Sequence, residues 1–182
     1  NQTNFLSCDF NEDGFIGNIS NVNSSINLSL ESSNEIISFK EENRTLFEFN
    51  SSNVTINFAN LFIEKQSTNN SFAYLIIKGL DLISQNKTKI AYINKILNGT
   101  GICIKDAEIN SINEISSDCT GTSETWLSCP STKGNYACEL TNNSEYKVTG
   151  LSHSGIKEQG SYCGDGIVNG GETCSSCPLD AG

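Results

Sequence analysis

A chain of 182 residues with 21 acidic against 11 basic side chains carries a net charge of −10. It lacks the clustered cations that a phosphate backbone requires, which excludes nucleic acid as a partner. Its 36% of hydrophobic residues suffice for one sizeable core, but the longest apolar run, Phe72–Ile77, is strand-sized and far short of the ~18 residues of a membrane span.

In chain order, the texture changes twice. Residues 1–25 form a polar N-terminal segment centred on CDFNEDGFIG, residues 26–160 hold most of the apolar content, and residues 161–182 are rich in glycine and cysteine. The chain starts at Asn1 rather than Met, which predicts removal of a leader or upstream portion. In the middle segment INLSL (26–30), EIISFK (35–40), TLFEF (45–49), VTINF (54–58) and LFIEK (61–65) alternate apolar and polar residues between Asn, Ser and Glu. That period of two predicts strands. FAYLIIKGL (72–80) is almost continuously apolar, as a central strand is. KIAYINKIL (89–97), GICIKD (101–106), SINEI (111–115), TWLSC (125–129), YACEL (136–140) and EYKVTGL (145–151) continue the pattern. About ten short strands with frequent polar turns predict an all-β fold, an immunoglobulin-like β-sandwich flanked by the acidic N-terminal loop and the cysteine-rich tail.

Eight cysteines (Cys8, Cys103, Cys119, Cys129, Cys138, Cys163, Cys174 and Cys177) accompany a single histidine, His153. Histidine-containing zinc sites are therefore nearly excluded, and only Cys174 and Cys177 have the close spacing of a thiolate pair. Disulfides formed in an oxidising compartment are the better reading. Cys129 and Cys138 flank a hairpin-sized loop and predict a cross-strand bridge. Cys103 with Cys119 would close a second loop, one choice among the roughly one hundred connectivities that eight cysteines allow.

Asn-X-Ser/Thr acceptors begin at Asn1, Asn18, Asn23, Asn27, Asn43, Asn50, Asn53, Asn69, Asn86, Asn98 and Asn142. They number about twice what random placement would give and predict N-linked glycans on exposed surface, thickest on the first half of the chain.

DFNEDGFI (9–16) resembles the first half of the calcium loop of EF-hands and dockerins. The resemblance makes the side chains of Asp9, Asn11 and Asp13 and the Phe15 carbonyl the calcium ligands, with Gly14 at the sharp turn. Gly17 and Ser20 replace the later ligands, so an oxygen from elsewhere, such as Glu31, would complete the shell. DGIVNGGE (165–172) is a weaker echo of the same loop, with Ser161 and Cys163 as poor first ligands.

The tail resembles a small cysteine-rich repeat of archaeal and bacterial surface and secreted proteins, through Cys163, Gly164, Asp165, Gly166, Glu172, Cys174, Cys177, Asp180 and Gly182. Val168 and Ala181 stand where that repeat often carries cysteine, so the resemblance implies one bridge fewer. The odd tail cysteine would then pair with Cys8, folding the tail onto the N-terminal loop; a bond to another molecule or to a region beyond residue 182 is the rival. Residues 45–182 also resemble a β-rich module that precedes such repeats in archaeal cell-surface proteins. That likeness implies an extracellular setting and no particular reaction.

Nothing in the sequence assembles a catalytic centre. His153 in LSHSG has serines on both sides, but adjacent residues do not make a triad, and the G-x-S-x-G elbow is missed at its last position. Trp126, Tyr136 and Tyr146 could line a sugar-binding face, although a lone Trp in a sandwich more often packs in the core. The expected function is that of an extracellular structural or adhesive cell-surface glycoprotein, not an enzyme. It would self-associate through strand edges, NQTNFL at the N-terminus among them, or bind other surface proteins or glycans. The alternative is a calcium-dependent ligand- or carbohydrate-binding module of a larger protein.

Overall fold

The computed structural model describes residues 26–52, 54, 56–57, 60–66, 71–80, 82–99, 101–160, 175 and 178, and residues 14–19 at the level of the backbone. Strands β1 (Gly14–Ile19), β2 (Leu28–Ser33), β3 (Ile36–Glu41), β4 (Arg44–Asn50), β5 (Phe62–Lys65), β6 (Tyr74–Lys78) and β7 (Lys89–Asn94) come first. They are followed by β8 (Gly101–Lys105), β9 (Glu124–Ser128), β10 (Ser131–Lys133), β11 (Tyr136–Thr141), β12 (Glu145–Leu151) and β13 (Ser154–Gln159). Two antiparallel sheets result, ordered β1-β2-β3-β4-β7-β12-β11-β10 and β5-β6-β13-β8-β9. The expected all-β sandwich is present.

The core lies between the sheets because alternating side chains turn inward. Phe39 and Phe47 face each other across β3 and β4, with stacked rings 4.3 Å apart. Leu75 and Ile77 of β6, Ile102 and Ile104 of β8, Leu127 and Ile156 meet them from the other sheet. The alternate residues of the same strands face outward. There Tyr74, Ile76 and Cys103 build a second, smaller cluster with Ile109, Ile115 and Cys119 from the β8–β9 connection. The absent Cβ of Gly155 makes this possible, since one placed there would lie 2.3 Å from Ile109 Cδ1.

Four elements differ from the sequence reading. SINEI is not a strand: Ile112–Glu114 form a 3₁₀ turn whose capping box is closed by Ser111 and Glu114. Val54 and Ile56 are buried as their alternation implied, but in irregular backbone. Ser131–Lys133, inside the hairpin-sized loop between Cys129 and Cys138, pair as β10. The apolar alternation ends at residue 151, yet β13 follows it and is the middle strand of the five-stranded sheet. Its sequence, SGIKEQ, looks polar, and five of its six residues are buried. Within the N-terminal segment β1 pairs with β2, placing Phe15 opposite Glu31.

Candidate functional site

One end of the sandwich gathers the exits of β6 and β8, the start of β7 and the β12–β13 turn, and there Lys89, Asp106, Glu108, Tyr136 and His153 come together. Lys89 opens β7 facing inward and is fully buried. Its Nζ donates to the Ser152 carbonyl at 2.8 Å. Burial lowers its pKa to about 8, against the opposing pull of Asp106 and Glu108. Asp106, just past β8, accepts from the backbone N–H groups of Ser152 at 3.0 Å and His153 at 2.6 Å. The Tyr136 hydroxyl reaches the same carboxylate at 3.4 Å, and burial followed by the Asp106 charge raises the Tyr136 pKa.

Glu108 accepts from Gly79 N at 3.0 Å and meets His153 Nδ1 at 3.1 Å. The His153 ring is therefore oriented by a carboxylate, with side-chain exposures of 22% and 38% for the pair. Such a contact can hold the ring in one orientation. The hydroxyl beside it in sequence does not join it: Ser154 is buried, and its Oγ bonds the His153 carbonyl. The geometry fixes a turn and presents one half-exposed imidazole.

No protein-family model, curated protein or solved structure matches this chain.

Two further carboxylates are held by backbone donors. Glu158 is 1% exposed and accepts from Ile96 N and Leu97 N at 2.8 Å and from Ala73 N at 3.1 Å. Glu124 accepts from Ser116 N at 2.9 Å, Gly121 N at 2.8 Å and the Ser116 hydroxyl, with Lys105 Nζ at 3.5 Å. Burial pushes the Glu124 pKa up, but those hydrogen bonds together outweigh it and leave the group below its ordinary value. Glu124 also lies with Cys103 and Cys119 in a set of ligand atoms within 4.8 Å of one another. Both sulfurs are spent in the Cys103–Cys119 disulfide, so the set offers one carboxylate and no thiolate.

The sites expected from sequence are placed as follows. Cys103–Cys119 and Cys129–Cys138 are disulfides, with Cα atoms 5.6 Å and 5.2 Å apart. Cys8, Cys163, Cys174 and Cys177 lie outside the described residues, as do Asp9, Asn11 and Asp13. Of the sequon asparagines, Asn27, Asn43, Asn86, Asn98 and Asn142 are exposed and Asn50 is half-buried. Asn18 is described only as backbone of β1, and Asn1, Asn23, Asn53 and Asn69 lie outside the described residues. Trp126, Tyr136 and Tyr146 do not share a face. Tyr146 is buried in the core, Tyr136 lies at the Asp106 end, and Trp126 packs on the outer cluster near Phe62 and Phe72. Sequence reasoning missed Lys89, Asp106, Glu108 and Glu158, whose common signal is a charge at a strand end or at an inward-facing position.

Proposed function

We propose that the chain is a secreted or surface-displayed glycoprotein unit with a structural or adhesive role in an envelope layer, stalk or filament. The supporting observation is the pairing of interior staples with exterior acceptors. Both described disulfides are buried, while five of the six sequon asparagines with described side chains are exposed. Disulfides persist in oxidising compartments and N-glycans occupy exposed surface, so the two features belong together outside the cytosol.

Self-association would use the β1 edge of the eight-stranded sheet. Its sequence GFIGNI carries no charge, whereas the other three edge strands do: β5 and β10 carry Lys65 and Lys133, the kind of residue that discourages strand addition, and β9 carries Glu124. The decisive experiment isolates the native protein, maps it under non-reducing conditions and sizes it. Bridged cysteines, attached sugar and an assembled species support the role; a reduced, sugar-free monomer in the cytosol ends it.

A calcium-dependent binding module is the second reading. It draws on the β1–β2 register, which pairs Phe15 with Glu31, the acid suggested to complete the loop, although the Glu31 carboxylate is bonded to Lys40 and would have to release it. Calcium should raise the melting temperature, and Asp9→Ala with Asp13→Ala should remove the rise. An unchanged melting temperature in millimolar calcium refutes it.

A further inference from the structure

The described sequon asparagines sort by end of the sandwich rather than by position in the chain. Asn27 immediately precedes Leu28, which pairs with Glu41 at the edge of the β3–β4 turn that contains Asn43. Arg44, after that turn, bonds Glu145 at 2.9 Å and joins it to the β11–β12 turn, where Asn142 sits. Asn98 lies in the β7–β8 connection, which is tied to the same place twice. Lys95 N bonds Ser144 O at 2.8 Å, and the Tyr146 hydroxyl bonds Gly99 O at 3.0 Å. Four exposed acceptors thus line one end across β2, β3, β4, β7 and β12, a width of roughly 20 Å at the usual strand spacing.

Asn50 is built differently. It closes β4 at the opposite end, and its Oδ1 accepts from Lys87 Nζ at 2.7 Å, Ser52 Oγ at 2.9 Å and Ser52 N at 3.0 Å. Its Nδ2 donates to Glu35 Oε2 at 3.4 Å. Asn86, exposed at that end, stands apart from the four.

We infer that Asn27, Asn43, Asn98 and Asn142 carry N-glycans that together form one cap over a single end of the sandwich, and that Asn50 is bypassed. The inference rests on the glycoprotein reading above and adds which acceptors are used and where the sugar lies. In each transfer Nδ2 forms a bond to C1 of a lipid-phosphate-linked oligosaccharide. The C1–O bond to the lipid phosphate breaks, and Nδ2 gives up one proton. At Asn50 the amide would first have to surrender its partners on Ser52, Lys87 and Glu35. The cap covers the turns at Glu42–Asn43 and Asn142–Asn143, whose residues are exposed and of the kind that proteases nick.

Site-by-site glycopeptide mapping of protein from its native source tests this, with single Asn→Gln variants read by gel mobility. Expected are sugar at the four cap sites, none at Asn50, and a mobility shift for Asn98→Gln but not for Asn50→Gln. An Asn43→Gln, Asn142→Gln double variant should be cut by trypsin after Arg44, beside the 42–43 turn, at least tenfold faster than the parent protein. Sugar on Asn50 comparable to that at the cap sites, or two or more cap sites bare while other sequons are occupied, overturns the inference alone. A chain without sugar anywhere overturns the glycoprotein reading with it.

Discussion

Lys89 and Asp106 grip the same turn from two sides: the buried ammonium donates to Ser152 O at 2.8 Å, and the carboxylate accepts from Ser152 N at 3.0 Å. Because burial lowers the Lys89 pKa from 10.5 to about 8, the folded state releases this proton before the unfolded chain does. Between those values the unfolded chain binds more protons, so stability rises with pH. The ceiling on this gain is about 3 kcal/mol. Above pH 10 the raised pKa values of Tyr92 and Tyr146, both caused first by burial, act in the opposite sense. Urea unfolding from pH 7 to pH 10 should show a rise that Lys89→Met largely removes; Lys157, also lowered first by burial, supplies the remainder. A flat profile for the parent protein contradicts the burial of a titrating ammonium.

Glu158→Ala should destabilise by about 3 kcal/mol or more, because three backbone N–H groups at Ala73, Ile96 and Leu97 lose a buried acceptor at once. Glu158→Gln keeps the shape and one acceptor oxygen and should cost less. The second measurement is amide exchange at Ile96 and Leu97, which should accelerate in both variants relative to the core of β8. Equal stability of all three proteins would mean that the carboxylate does not hold the β7–β8 connection.

Gly155→Ala should cost about 1–3 kcal/mol, since the new methyl meets Ile109 Cδ1 at 2.3 Å and Ile115 Cδ1 at 3.2 Å. Shortening the neighbour with Ile109→Val should recover part of that loss. A double-mutant cycle reads the coupling directly, and strict additivity would place Ile109 elsewhere.

Replacing Cys103 and Cys119 together by serine should lower stability by about 3 kcal/mol, the entropy of a loop of this size. The loss should be local in its first expression. Amides of residues 106–119 exchange faster while those between the sheets remain protected, because the bridge closes the outer cluster rather than the core. Uniform acceleration across both sheets would refute the separation of the two clusters.

The alternating strands were legible because their period of two is a property of neighbouring residues, as in Phe47 and Phe49 of β4 or Ala91 and Ile93 of β7. The pairing of Cys129 with Cys138 was legible from loop length, whereas Cys103 with Cys119 stayed one choice among many until the fold brought their Cα atoms to 5.6 Å. β13 was not legible, because Glu158 and Gln159 look like surface residues until backbone donors and the Ser117 carbonyl close over them. Lys89 escaped notice for the same reason: a lysine at the head of a strand reads as solvated, and only the turn arriving from residues 152–153 takes it out of water.

Composition and periodicity are local quantities, so the residues alone carry an all-β chain, a net acidic charge, an even set of cysteines and many Asn-X-Ser/Thr sequons. Tertiary structure alone decided which distant residues meet. It brought Asp106 to Ser152 and Glu158 to Ile96, and it moved Asn27 and Asn142 from opposite parts of the chain to one end of a sandwich. The physical reason is that strand order is set by packing two apolar faces against each other, and no local pattern encodes which strand becomes whose neighbour.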